Sequence, residues 1–131
     1  MALIEYEYHP VEMTAKGVLN LMTRAGRNNN PGNLRYAGQA GATGQDPQGF
    51  AIFATAHDGW NALYRQIELD ASRGQTLKTF IYAYAPPTEN STANYLSFLM
   101  KKTGASADTP LSDIDTQNLA EGVAHFEGYY A

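Results

Sequence analysis

The sequence has no cysteine. That absence excludes disulfides, thiol nucleophiles and cysteine-ligated zinc or iron–sulfur centres. Positive charge is also scarce: nine Lys and Arg stand against thirteen Asp and Glu, a net charge of −4. Without a basic excess to neutralise phosphates, nucleic acid and anionic membrane surfaces are poor partners. No apolar run approaches the ~20 residues of a membrane span. The opening MALIEYEYHP is acidic and alternating, unlike the basic and then apolar start of a secretory signal. His9, His57 and His125 show no metal spacing, so no metal or cofactor is expected. No glycine-rich phosphate loop joins a strand to a helix, and no serine-nucleophile motif is present.

What is present is the composition of a folded domain: 131 residues, 44% hydrophobic and 17% charged. A chain of this size can bury roughly 65–70% of the surface it exposes when unfolded. Residues 2–8 alternate, with Ile4, Tyr6 and Tyr8 on one face, which predicts a strand. From 11 to 25 the period turns helical: Val11, Ala15, Val18, Leu19, Met22 and Ala25 share a face, with Gly26 as the stop. Residues 27–49 are irregular and rich in Gly and Asn; short strands at 34–36 and 50–53 predict an antiparallel hairpin. Four helical patterns follow. Trp60, Leu63, Tyr64, Ile67 and Ala71 line the first, closed by Gly74. Leu77, Phe80, Ile81 and Tyr84 line the second, with Thr76 as N-cap and Pro86-Pro87 as stop. Tyr95, Leu96, Leu99 and Met100 line the third, from near Ser91 to Gly104. Leu119, Val123 and Phe126 line the last, capped by Asp115 or Thr116. The sum is an α+β fold, mostly α, with a small antiparallel hairpin.

Three features could carry chemistry. Asn28, Asn29, Asn30 and Asn33 surround Pro31-Gly32; amides at a turn suit a neutral ligand rich in hydroxyls and amides, such as a sugar, or simply build the loop. Glu127, in HFEGYY, sits at the end of the last helix among aromatic rings. Partial desolvation and the negative end of the helix dipole both favour its protonated form. A glycosidic bond needs such an acid on its leaving oxygen. The competing reading is an exposed glutamate at a fraying helix end. Finally, nine Tyr, five Phe and one Trp are many for this length, and tyrosine rings stack well on sugars.

The string RNNNPGNL (27–34) resembles the signature of lysozyme-like, peptidoglycan-cleaving domains found in phage virion or tail proteins and in bacterial lytic transglycosylases. The likeness continues through GFAIF (49–53), DGW (58–60), YAPPTEN (84–90), Tyr95 and ADTPL (107–111). It covers roughly residues 24–130, leaving 1–23 as a strand and helix of unassigned role, suited to covering the core or docking onto a larger virion or secretion assembly. In this family the HFEG or HENG segment holds the catalytic acid, which implies that role for Glu127. Many lysozyme-like domains place the glutamate helix before the asparagine turn; here it comes last, as in a circular permutation. The order works only if the C-terminal helix packs beside the 28–33 turn.

The resemblance thus implies cleavage of the β-1,4 bond between N-acetylmuramic acid and N-acetylglucosamine. Asn28, Asn29, Asn30, Asn33 and Arg35 would line the glycan cleft. Tyr36, Tyr84, Asn90, Tyr95 and Tyr129 would form its walls. No convincing second carboxylate is evident, which favours a lytic transglycosylase over a hydrolase; Asp46 and Asp58 are the candidates for a hydrolytic route. The chain would act on the bacterial cell wall, delivered by a phage particle, a holin or a secretion system. A non-catalytic peptidoglycan-binding or virion structural module is the alternative, and a Glu127→Gln change separates the two.

Overall fold

The four later apolar stripes become four helices, the first three ended at or just before the residues expected to end them. The computed structural model describes residues 17–131. The strand expected at 2–8 and the start of the helix expected at 11–25 lie outside the described residues. The fold is α+β and mostly α, with one two-stranded antiparallel hairpin. Among the described residues no helix is long and apolar enough to cross a membrane.

The chain divides into two compact units. The described part of the first comprises residues 17–65 and Val123–Ala131; the second is Gln66–Gly122. In the first, a single turn of helix, α1 (Arg24–Arg27), leads into the asparagine turn. The hairpin follows, β1 (Ala42–Gln45) against β2 (Ala51–Phe53), with Gln45 opposite Ala51 and Ala42 opposite Phe53. Helix α2 (Ala56–Ser72) begins in this unit and crosses the boundary at Arg65. Trp60, fully buried, meets Tyr129 edge to face at 5.6 Å and Tyr130 at 6.5 Å. Aromatic pairs of this geometry add about 0.5–1.5 kcal/mol to their area burial.

In the second unit, α3 (Leu77–Tyr84) packs against α4 (Thr92–Thr103). Thr76 and Thr79 form a reciprocal capping box on α3, and Gly104, at φ 76°, caps α4 in the left-handed conformation that glycine adopts without penalty. Leu77, Phe80, Ile81, Tyr95, Leu99 and Leu119 are all buried. The ADTPL segment owes its place to backbone pairing: the N–H groups of Leu77 and Lys78 donate to Thr109 and Ala107, and that of Leu111 donates to Gln75. A 3-10 turn (Leu111–Asp113) leads to α5 (Thr116–Phe126), whose start is capped by Asp115 accepting from the Asn118 N–H.

Four expectations are corrected. Residues 18–22 are not helical: Leu19 pairs with Tyr130 as an antiparallel bridge, and Val18 and Met22 are exposed. Gly26 is not a helix stop. It lies inside α1, where a Cβ would fall 1.7 Å from the carbonyl oxygen of Asn20, so only glycine fits. The hairpin pairs 51–53 with 42–45 rather than with 34–36, whose share is the single bridge Arg35–Phe50. Asp46 makes this choice. Its carboxylate accepts from the N–H groups of Gln48 and Phe50, closing a tight turn just before β2. In α5, Phe126 is 37% exposed while Leu119, Ala120, Val123 and Ala124 are buried. At 100° per residue, position 126 lies roughly 90° from the centre of that stripe.

Candidate functional site

The turn after α1 is built from amides. Thr23 caps α1 by accepting from the Gly26 N–H, and the helix ends at Asn28. Asn29 and Asn33 then adopt left-handed backbone, with φ of 51° and 48°. Asparagine enters that region more readily than most residues. Asn30 is fully buried. Its Nδ2 donates to the carbonyls of Leu34 and Ala51, both at 2.9 Å, and its Oδ1 accepts from the Leu34 N–H at 3.0 Å. One side chain thus meets three backbone groups, of which the Leu34 carbonyl also accepts from the Ala51 N–H at 2.9 Å. Asn29 Nδ2 donates to the carbonyl of Phe53 at 3.1 Å, and Asn28 Nδ2 to Asp46 at 3.0 Å. Gly59 lets α2 lie against this turn: a Cβ there would fall 1.8 Å from the carbonyl oxygen of Asn29.

Glu127 arrives from the other end of the chain. Gly128, at φ 80°, turns the backbone out of α5. Its N–H donates to the His125 carbonyl at 3.2 Å, and the Tyr129 N–H to that of Ala124 at 3.0 Å. This is a Schellman ending, with Glu127 as the capping residue. The segment beyond is tied to residues 18–23. The Asn20 N–H donates to the Tyr129 carbonyl at 2.9 Å, and the Thr23 hydroxyl to the Gly128 carbonyl at 2.8 Å. Glu127 is therefore half-buried at a fixed helix end rather than frayed. Asn33 Nδ2 donates to Glu127 Oε1 at 2.8 Å, across 94 positions of sequence. The C-terminal helix end and the asparagine turn do meet.

The two aspartates near the hairpin are committed elsewhere. Burial raises the affinity of Asp46 for a proton, but the Phe50 N–H, Asn28, the Gln48 N–H and Arg24 together outweigh it and hold the carboxyl below its ordinary range. Arg24 Nε lies 3.6 Å from Asp46 Oδ2. Asp58 forms a reciprocal cap with Thr55 at the start of α2, each contact 3.1 Å, and crowds Gly41, where a Cβ would fall 2.5 Å from its carboxyl carbon. Both have assigned structural work, and neither is brought to Glu127 by a hydrogen bond among those described.

Of the remaining expected site residues, Arg35 and Tyr36 are exposed, and Arg35 lies over the Phe50 ring at 4.6 Å. Tyr129 is fully buried, so its ring has no face to offer a sugar. Burial pushes its phenol up to about 12, against a hydrogen bond with Trp60 that acts the other way. In the second unit, Tyr95 is fully buried among the helices and likewise offers no wall. Tyr84 is half-buried with its ring 5.1 Å from that of Phe80. Asn90 is exposed and closes the YAPPTEN turn by donating to the Pro86 carbonyl at 3.1 Å. Arg24 is the residue that sequence reasoning missed: its guanidinium carbon sits 4.1 Å over Phe50. No local pattern announces this, because the partners are 26 positions apart.

No family model matches the chain. It is similar to Protein P5 of Pseudoalteromonas phage PM2, at 32% identity over 104 residues. The match covers 72% of this chain and 64% of that protein, so the chain spans less than two thirds of the relative's length.

Proposed function

We propose that this chain cleaves the β-1,4 bond between N-acetylmuramic acid and N-acetylglucosamine in peptidoglycan, with Glu127 as general acid and then general base. The observation that carries this reading is the hydrogen bond from Asn33 to Glu127, which joins the two segments that resemble the lysozyme-like family. Positioning matters because a catalytic group held within a few tenths of an ångström is worth several kcal/mol over a loose one. The hydrogen bond and the Schellman ending supply that hold.

In the mechanism, protonated Glu127 gives its proton to the glycosidic oxygen as the bond to the muramic acid anomeric carbon breaks. The carboxylate left behind takes the proton of that sugar's own C6 hydroxyl. The C6 oxygen closes on the anomeric carbon, giving a 1,6-anhydro end and restoring the acid. One carboxylate suffices, which agrees with Asp46 and Asp58 being occupied in turn and cap. The same occupation favours a second reading, a peptidoglycan-binding module without turnover. The likeness to a phage protein supports delivery by a phage particle, with a virion as a partner.

The test is a digest of purified peptidoglycan read by mass spectrometry. Anhydromuramoyl ends are expected. Reducing muramic ends would mean hydrolysis and direct attention to Asp46. No soluble fragments from folded protein would leave the binding module. Glu127→Gln keeps an acceptor for Asn33 but has no proton to give; release should fall by about 10²–10⁴-fold or more, with binding retained.

A further inference from the structure

The Phe50 ring is shared by two guanidinium groups, Arg24 at 4.1 Å and Arg35 at 4.6 Å from its centre. Stacking on an aromatic face fixes the plane of a guanidinium and leaves its edge for hydrogen bonding. The two edges of Arg24 are used differently. Its Nε side faces Asp46 at 3.6 Å. Among the described residues, nothing hydrogen-bonds its Nη1 and Nη2 groups, and its side chain is 37% exposed. Arg27, one turn on, contrasts: its Nη1 is tied to the Met22 carbonyl at 2.7 Å. Asp46 does not cancel the cluster. It is one carboxylate against two guanidiniums, and its oxygens already accept from Phe50, Gln48 and Asn28. Two guanidiniums and one carboxylate thus meet at Phe50, on a chain whose net charge is −4.

A guanidinium held over a ring and partly exposed to solvent can match a carboxylate bidentately. The 28–33 turn relates this fork to the proposed acid. Asn28 at its start touches Asp46, and Asn33 at its end touches Glu127. Five Cα steps of about 3.8 Å keep those two ends within ~19 Å of each other. A glycan strand seated at Glu127 carries peptide stems on its muramic acids, and the stems end in and bear carboxylates.

We propose that Arg24, supported by Phe50 and Arg35, is a carboxylate-binding subsite that takes the peptide stem of the substrate strand. The proposal rests on peptidoglycan being the ligand, and makes the chain a reader of stem-bearing strands rather than of bare glycan.

The experiment measures binding of three soluble ligands to the full chain by calorimetry: disaccharide–tetrapeptide fragments, the same fragments with their stem carboxylates amidated, and the disaccharide alone. Wild type should bind the first about tenfold more tightly than the other two, the scale of one charge-assisted bidentate pair. Arg24→Gln should erase that preference, and Arg24→Lys should restore only part of it, since an ammonium keeps the charge but not the fork. Arg35→Gln, at an exposed position, gives a second variant, checked for folding by circular dichroism, whose preference should shrink. Equal affinity of wild type for all three ligands, or a loss in Arg24→Gln that is equal for all three, overturns the proposal. Arg24-dependent binding in a protein that releases no fragments from peptidoglycan supports the subsite and defeats the glycosidase reading.

Discussion

In the asparagine turn, amide side chains reach across to backbone groups of Leu34, Ala51 and Phe53; in α3 and α4 the backbone satisfies itself and apolar side chains do the packing. Each system concentrates its stability differently. A helix spreads it over a stripe such as Leu77, Phe80 and Ile81, and losing one cap frays one end. The turn places it on a few atoms. Asn30 alone serves three backbone groups, and the space beside Asn29 is reserved for a hydrogen atom on Gly59. A turn built this way is rigid, and fragile to single substitutions.

Gly59→Ala should have the largest effect. The added carbon would overlap a backbone carbonyl, which cannot swing aside as a side chain can. Loss of about 4 kcal/mol or more is expected, by a mechanism of the exceptional class. Trp60, the sole tryptophan and the next residue, reports it directly. Its near-ultraviolet circular dichroism should collapse while far-ultraviolet helix signal from α3 and α4 persists. A normal Trp60 signal with an unchanged urea midpoint would contradict the close approach.

A matched pair sharpens the contrast. Asn30→Ala strands the Leu34 N–H and the Ala51 carbonyl in a buried place and leaves the Leu34 carbonyl only its bond from the Ala51 N–H, and about 2–4 kcal/mol should be lost. Thr76→Ala removes one half of the α3 capping box, and about 1 kcal/mol should be lost. Urea unfolding of both variants checks the ratio; equal losses would mean that the turn shares its load as the helices do.

The smallest effect is a pH dependence. The folded-state pKa of Asp46 is lowered from about 3.8, so the native state binds fewer protons and its stabilisation is complete above the unfolded value. It is lost as pH falls through the folded value. Wild type should exceed Asp46→Asn in stability near neutral pH, and the gap should narrow below pH ~4. A gap that stays constant from pH 7 to pH 2.5 would show that the turn does not depend on the ionised form.

The same contrast explains what the sequence makes legible. Helices α2 to α5 follow from apolar spacing and local caps, signals that lie within a few residues of each other. Tyr95 belongs to such a stripe, and that membership outweighs the polar tip that suggested a sugar wall. The turn's outline is legible in its asparagines, because left-handed backbone favours them at 29 and 33. Its partners are not, since a side-chain amide can find a carbonyl anywhere. The hairpin register depends on Asp46 folding back on Gln48 and Phe50, and the bridge of Leu19 to Tyr130 depends on residues at the far end of the chain. Glu127 is visible because its glycine follows it; the amide that holds it is not.

The separation of 94 positions between Asn33 and Glu127 has a consequence in time. Closing a flexible loop of that length costs about 4 kcal/mol of chain entropy, far more than one hydrogen bond returns. The pair therefore forms cheaply only after Gln66–Gly122 has condensed and shortened the loose chain between them. On that account the amide turn is expected to form first without its carboxylate, which refolding followed by Trp60 fluorescence would check. The proposed chemistry then switches on with one of the slowest, highest-contact-order steps, and the appearance of activity during refolding marks the completion of the fold rather than its beginning.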